Sequence, residues 1–249
     1  MSIPLLSYEE LLATLQKSTI PTIVVEGKDD IAFYRWLEEK YALPAGCILV
    51  CNSRETVLKL YNEKDSCINK KIVFLADKDT FIFVGIPEKY ADVVWTKGYS
   101  IENDLFAASK AIDSLLLQNE KDVFSKIIQS ISKWFAFEVE NCLADKDYKF
   151  DHSVHEIINP DDCSICERFK QQKQFSEPND QSYLNIYNEY KTKLRGKTLL
   201  DVYSYILNSP HRESKYSKKN IFELSYKLID DEEYIGTIIS QIKAKLMIA

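Results

Sequence analysis

Up to about Tyr99 the chain alternates short apolar runs, each closed by glycine or an acid, with stripes of apolar residues at helical spacing; beyond that point only the stripes continue. Ser7 followed by Glu10 is a capping-box signature, and Leu11, Leu12 and Leu15 then give one apolar helical face. TIVVEG (Thr22–Gly27) reads as a β-branched strand, and DDIAFYRWLEEKY (Asp29–Tyr41) as a helix with acids in its first turn, where the helix dipole favours them. CILVCN (Cys47–Asn52) reads as a second strand and SRETVLKLYNE (Ser53–Glu63) as the helix after it. KIVFLADKD (Lys71–Asp79) is a third strand, apolar enough to be buried on both faces, and VVWTKG (Val93–Gly98) a fourth. Strands alternating with helices through short turns predict a parallel sheet with right-handed crossovers.

From Ile101 onward the stretches IENDLFAASKAIDSLLL and KDVFSKIIQSISKWFAFEVENCL, then Ser182–Leu194, Thr198–Leu207, Lys219–Leu228 and Glu232–Met247, all carry helical patterns. Residues 145–181 are polar and interrupted by Pro160 and Pro178, as in a long connection or lid. The expected fold class is α/β: a parallel sheet flanked by helices over residues 1–105, followed by a mainly α-helical domain over 106–249.

Composition and charge sharpen this picture. At 45% hydrophobic and 12% aromatic over 249 residues, the chain is that of a folded protein with a sizeable core. Its longest apolar runs, Pro21–Val25 and Ile72–Ala76, are too short to cross a bilayer, so no membrane partner is expected. MSIPLLSYEELL lacks a basic segment leading into an apolar one, so the six cysteines are expected as reduced thiols in a cytoplasmic protein. The net charge of −6 argues against a static nucleic-acid binder, with one local exception. Between Lys191 and Lys219 eight basic residues (Lys191, Lys193, Arg195, Lys197, Arg212, Lys215, Lys218, Lys219) face two acidic ones, Asp201 and Glu213. Arg195, Lys215, Lys218 and Lys219 are the candidates there for binding substrate phosphates.

The candidate chemistry lies in acids at strand ends. Glu26 closes the first strand with Asp30 four residues on; Asp77 and Asp79 close the third; Ser100 and Glu102 follow the fourth. Ligands of open parallel sheets bind at the carboxyl ends of the strands, so these six oxygen-bearing side chains are candidates to converge. Converging carboxylates repel unless a cation cancels their charge, and Mg²⁺ favours carboxylates and phosphate oxygens. Two such ions stabilise the attacking and leaving oxygens of a phosphoryl displacement. Singly, each acid is also explained as a helix cap or a solvated loop residue, Asp30 in particular. D-x-D alone also occurs in haloacid-dehalogenase phosphatases and in glycosyltransferases, although in the former it follows the first strand.

Glu26-Gly27 after one apolar strand and Asp77-x-Asp79 after a later one resemble the Toprim domain of topoisomerases, primases and OLD-family nucleases. Asp30 and Ser100-x-Glu102 match positions of the OLD-like branch. The string VEGKDDIAFY…FLADKDT…GYSIENDLF is also similar to the small Toprim-plus-helical effector nucleases of PARIS-type anti-phage defence, which work with an ABC-type ATPase. The likeness covers about residues 20–106, with KLRGKTLLDVYSYIL (Lys193–Leu207) as the one match downstream. It implies a Toprim-like sheet, with Glu26 as metal ligand and acid–base residue and Asp77 and Asp79 holding the principal Mg²⁺ (or Mn²⁺). It further implies Asp30, Ser100 and Glu102 at a second metal, and Lys197 stabilising charge on the phosphate; an ordinary solvated lysine explains Lys197 equally well.

The resulting expectation is a Mg²⁺-dependent endonuclease of anti-phage defence, acting on RNA, especially tRNA, as a homodimer or with an ABC-type ATPase. The alternatives are an OLD-type DNA nickase and a non-catalytic nucleic-acid-sensing module that regulates a partner ATPase. His152, His155, Cys163 and Cys166 have the residue types of a zinc site, but H-x-x-H is not the usual partner of C-x-x-C, and we read them as loop residues rather than zinc ligands. The aromatics of the helical half recur at helical spacing and are read as core.

Overall fold

The structure is a computed structural model that describes residues 6–27 and 30–247. In chain order its elements are α1 (Tyr8–Lys17), β1 (Thr22–Val25), α2 (Ile31–Lys40), β2 (Cys47–Val50), α3 (Arg54–Asn62), β3 (Ile72–Ala76), α4 (Phe81–Val84), β4 (Val94–Trp95) and α5 (Ile101–Ala108). Only helices follow: α6 (Ala111–Ser114), α7 (Gln118–Leu143), α8 (Val154–Ile157), α9 (Glu167–Lys173), α10 (Asp180–Tyr187), α11 (Tyr190–Lys193), α12 (Gly196–Leu207), α13 (Lys218–Lys227) and α14 (Glu233–Met247). The protein is thus α/β, with a four-stranded parallel sheet flanked by helices and a helical remainder. None of the described helices is long and apolar enough to cross a membrane.

Two compact units emerge. One runs through Thr96 and takes back the chain from Glu233; the other is Lys97–Glu232. The division differs from an expected boundary at 105/106, because α5 packs on α11, α12 and α13, and α14 packs on β3 and β4.

In the first unit the strand order is β2-β1-β3-β4, so β1 lies between β2 and β3, as its fully buried Thr22-Ile23-Val24-Val25 requires. Its register sets Val25 against Val50 and Val24 against Phe74. Ser7 caps α1 with the full reciprocal capping box to Glu10, as the sequence predicts. The core joins Leu11 and Leu15 of α1 to Val57, Leu60 and Tyr61 of α3 and to Phe74 and Ala76 of β3. Helix α14 adds Ile235, Ile238, Ile239, Ile242 and Leu246, all buried.

The second unit centres on α7 and α12, with Phe106 stacked on Tyr203 (centroids 5.2 Å apart) and Trp134 fully buried. Residues 145–181 are more structured than a lid. They contain α8 and α9, a bridge between Ile158 and Ile165, and the buried side chains of Val154, Ile157 and Phe169. The Val154 N–H donates to the buried Asp201 carboxylate at 2.8 Å, a long-range anchor that polarity along the chain does not reveal.

Candidate metal centre

Glu26 is the first residue past β1, between strands on either side. Its backbone carbonyl accepts the Asn52 N–H at 2.7 Å, and its side-chain Oε1 accepts the Asp77 N–H at 2.7 Å, one residue past β3. The turn that carries the two aspartates is held residue by residue. The Lys78 N–H donates to Thr96 Oγ1 at 3.1 Å, and the Lys78 carbonyl accepts from Arg54 Nη1 and from the Phe81 N–H. Asp79 takes a left-handed φ of 46°, a conformation aspartate tolerates better than most residues.

Charge is crowded here. The Glu26 carboxyl is pushed up to about 8, first by burial and then by the negative charge of Asp79, with Asp30 adding to both. The Asp77 N–H and the Arg54 guanidinium pull the other way. Burial and the Glu26 charge push the neighbouring Cys51 thiol up to about 12. Asp30 stands at the N-cap position of α2, yet its side chain makes no capping bond. A Cβ placed on Gly27 would lie 2.1 Å from Asp30 Oδ2, so the carboxylate covers Gly27, and the capping role that residue type alone allows is not the one taken. Asp29 lies outside the described residues.

Among the described residues no three His, Cys, Asp or Glu side chains form a ready metal shell. The chemistry of the donor set nevertheless suits a hard cation. Asp79 and Asp30 raise the cost of ionising Glu26, and the described positive charge that Glu26 feels, Arg54, offsets this only in part.

Ser100 and Glu102 belong to the second unit, where both are buried. Ser100 caps α5, and its Oγ donates to Glu102 Oε2 at 2.6 Å. Asn103 Nδ2 donates to the carbonyls of Lys191 and Leu194, and a Cβ on Gly196 would meet Ser100 Oγ at 2.3 Å. The S-x-E motif and the R-G-K segment are therefore in contact, and only glycine fits between them. Arg195 Nη1 donates to the Phe150 carbonyl at 3.3 Å, and Lys197 is exposed in the first turn of α12.

Half of the basic strip is paired within its own unit. Lys191 pairs with Asp113, Lys193 with Glu189, Arg212 with Glu120 and Lys218 with Asp201. Lys215 donates to the Ser209 and Asn208 carbonyls. Among the described residues Arg195, Lys197, Lys215 and Lys219 carry no ion pair.

The His and Cys residues line the fold without forming a metal cluster among the described residues. His152 Nδ1 lies 3.1 Å from Glu156 Oε2, with its ring against Phe169 (centroids 5.1 Å apart), and the His155 ring lies against Tyr205 at 4.7 Å. Cys163 is held at φ 63°, and burial raises its thiol.

Sequence reading passes over Arg54. A signal exists: a basic residue in the first turn of a helix opposes the helix dipole, so another interaction must hold it there. No protein-family model matches the chain, and no curated protein does.

Proposed function

We propose that this chain is a Toprim-like, Mg²⁺-dependent endonuclease that hydrolyses phosphodiester bonds of nucleic acid, with RNA, especially tRNA, as its substrate, as an effector of anti-phage defence. The observation that carries this reading is the juxtaposition at the ends of β1 and β3: Glu26 bound to the backbone of Asp77 and electrostatically coupled to Asp79. Substrate class, defence role and an ABC-type ATPase or second copy as partner rest on the likeness of VEGKDDIAFY…FLADKDT…GYSIENDLF to the defence nucleases.

Glu26, Asp77, Asp79 and Asp30 would hold the cation, which when bound supplies positive charge to the phosphate and acidifies a water. Before the cation binds, the Glu26 carboxyl, at about 8, holds a proton at neutral pH, and cation binding would release it; the acid–base role of Glu26 rests on the family likeness. The Asp77 N–H fixes Oε1 of that carboxyl, leaving Oε2 for the cation or the proton. Cys51 stays a neutral thiol beside it and offers no competing nucleophile at neutral pH.

Metal binding by itself tests the reading before any substrate is chosen. Mg²⁺ or Mn²⁺ at millimolar concentration should raise the melting temperature of the full chain, and Asp79→Asn should remove the rise. An equal shift in both proteins would remove the site from the account.

A further inference from the structure

We propose that Arg54 binds a phosphate of the nucleic-acid substrate at the Glu26 site. The inference deepens the proposed nuclease reading and rests on it.

An arginine that only balances a carboxylate normally forms a short, often bidentate pair, with N···O distances of about 2.7–2.9 Å. Arg54 does not. Its Nη1 lies 3.4 Å from Asp79 Oδ2, and the firm hydrogen bond from the same nitrogen goes to the Lys78 carbonyl. The guanidinium carbon sits 4.3 Å from the centre of the Phe81 ring, which is itself braced edge-on by Trp95 at 5.7 Å. A backbone carbonyl and an aromatic face thus orient the fork, and the carboxylate does so least.

Nε and Nη2 meet no acceptor among the described residues, and the side chain is 22% exposed. The remaining edge of the fork presents two parallel donors, which match two non-bridging phosphate oxygens. Its surroundings need such a group. Asp79 and Asp30 repel a phosphate, and among the charges acting on Glu26 in the described chain Arg54 is the positive one. Arg54 lies in the same unit as Glu26, Asp30 and Asp79.

The test uses the full chain as wild type, Arg54→Lys, Arg54→Gln and Phe81→Leu. Affinity for a short fluorescein-labelled single-stranded RNA is read by anisotropy in Ca²⁺, with Mn²⁺ affinity and EDTA melting temperature measured in parallel. Removing a charged two-donor interaction should weaken RNA binding by about tenfold to a hundredfold. We expect that weakening in both Arg54→Lys and Arg54→Gln, because lysine keeps the charge but not the fork. Phe81→Leu, which removes the ring platform and keeps the guanidinium, should bind RNA several-fold more weakly with Mn²⁺ affinity unchanged, and it decides the matter if Arg54→Gln does not fold. Wild-type affinity in Arg54→Lys would make Arg54 a counter-ion only and overturn the proposal, as would wild-type RNA affinity in Phe81→Leu. A folded wild type that binds neither Mn²⁺ nor RNA overturns the nuclease reading, and this inference falls with it.

Discussion

Glu26 shows how one residue carries both a stability cost and a chemical use. Its carboxyl rises from 4.5 to about 8 on folding, so between those values the folded chain holds a proton that the unfolded chain has released. The stability this contributes is fully present below about 4.5 and is lost as pH rises through about 8. Melting temperature in EDTA should therefore fall as pH rises from ~5 to ~8, and Glu26→Gln should flatten that fall. Saturating Mg²⁺ should also reduce it in the wild type, by favouring the ionised carboxylate. A variant that keeps the wild-type pH profile would place the shift elsewhere. That Glu26, Asp77 and Asp79 stand just past strands is legible from the apolar runs before them, since a strand end is a property of neighbouring residues. Arg54 is not. Its role depends on Lys78 and Phe81, which lie far along the chain, and on a left-handed backbone at Asp79 that no local pattern announces.

At the scale of elements, the hydrophobic periods locate every strand to within two or three residues but misjudge how much of each is paired. VVWTKG reads as a six-residue strand, yet only Val94 and Trp95 are in the ladder. Thr96 instead spends its hydroxyl on the turn that carries the aspartates. The run from Ile101 reads as one helix and is two, because Ser109 turns its hydroxyl to the Leu228 carbonyl and the Ala108 carbonyl accepts from Asp230 and Asp231. Capping is the most local signal and the most reliable: Ser7→Ala should cost about 1 kcal/mol, read by urea unfolding, because the Glu10 N–H then has no acceptor at the cap. Unchanged stability would mean that α1 frays without consequence. Gly196 is a second case. Gly196→Ala forces a methyl into the space of Ser100 Oγ and should lower the melting temperature by several degrees, an outcome that an unperturbed variant would contradict.

Across the whole molecule, surfaces read differently in space than along the chain. The last helix is apolar over more than one stripe, and Ile235, Ile238, Ile239, Ile242 and Leu246 are buried within the sheet-bearing unit. Each such side chain contributes on the order of 2 kcal/mol, comparable in sum to the stability of a whole domain. Truncation before Glu233 should accordingly unfold the sheet unit, visible as loss of cooperative melting, and would not simply release a partner-binding tail. A homodimer or an ATPase complex therefore needs another surface, and light scattering at micromolar concentration tests the homodimer directly.

The basic strip is likewise less basic in space than along the chain, since Asp113, Glu120 and Glu189 come from outside residues 191–219 and pair with cations inside it. Lys218→Ala should act on stability, by about 1 kcal/mol, because Asp201 is then left without its cation. Lys197→Ala and Lys219→Ala should instead weaken RNA binding and lower its salt slope by about 0.7 for each phosphate no longer neutralised.

The central claim is phosphodiester hydrolysis at Glu26, and one cleavage assay addresses it. Labelled tRNA, single-stranded DNA and supercoiled plasmid are incubated with the full chain and with Glu26→Ala, each in Mg²⁺ or EDTA and with both proteins melting cooperatively. The account predicts cleavage by the wild type in Mg²⁺, strongest on tRNA, and none in EDTA or with Glu26→Ala. Equal cleavage by wild type and Glu26→Ala, or none by the wild type on any substrate in Mg²⁺ with or without the proposed ATPase partner, would contradict it.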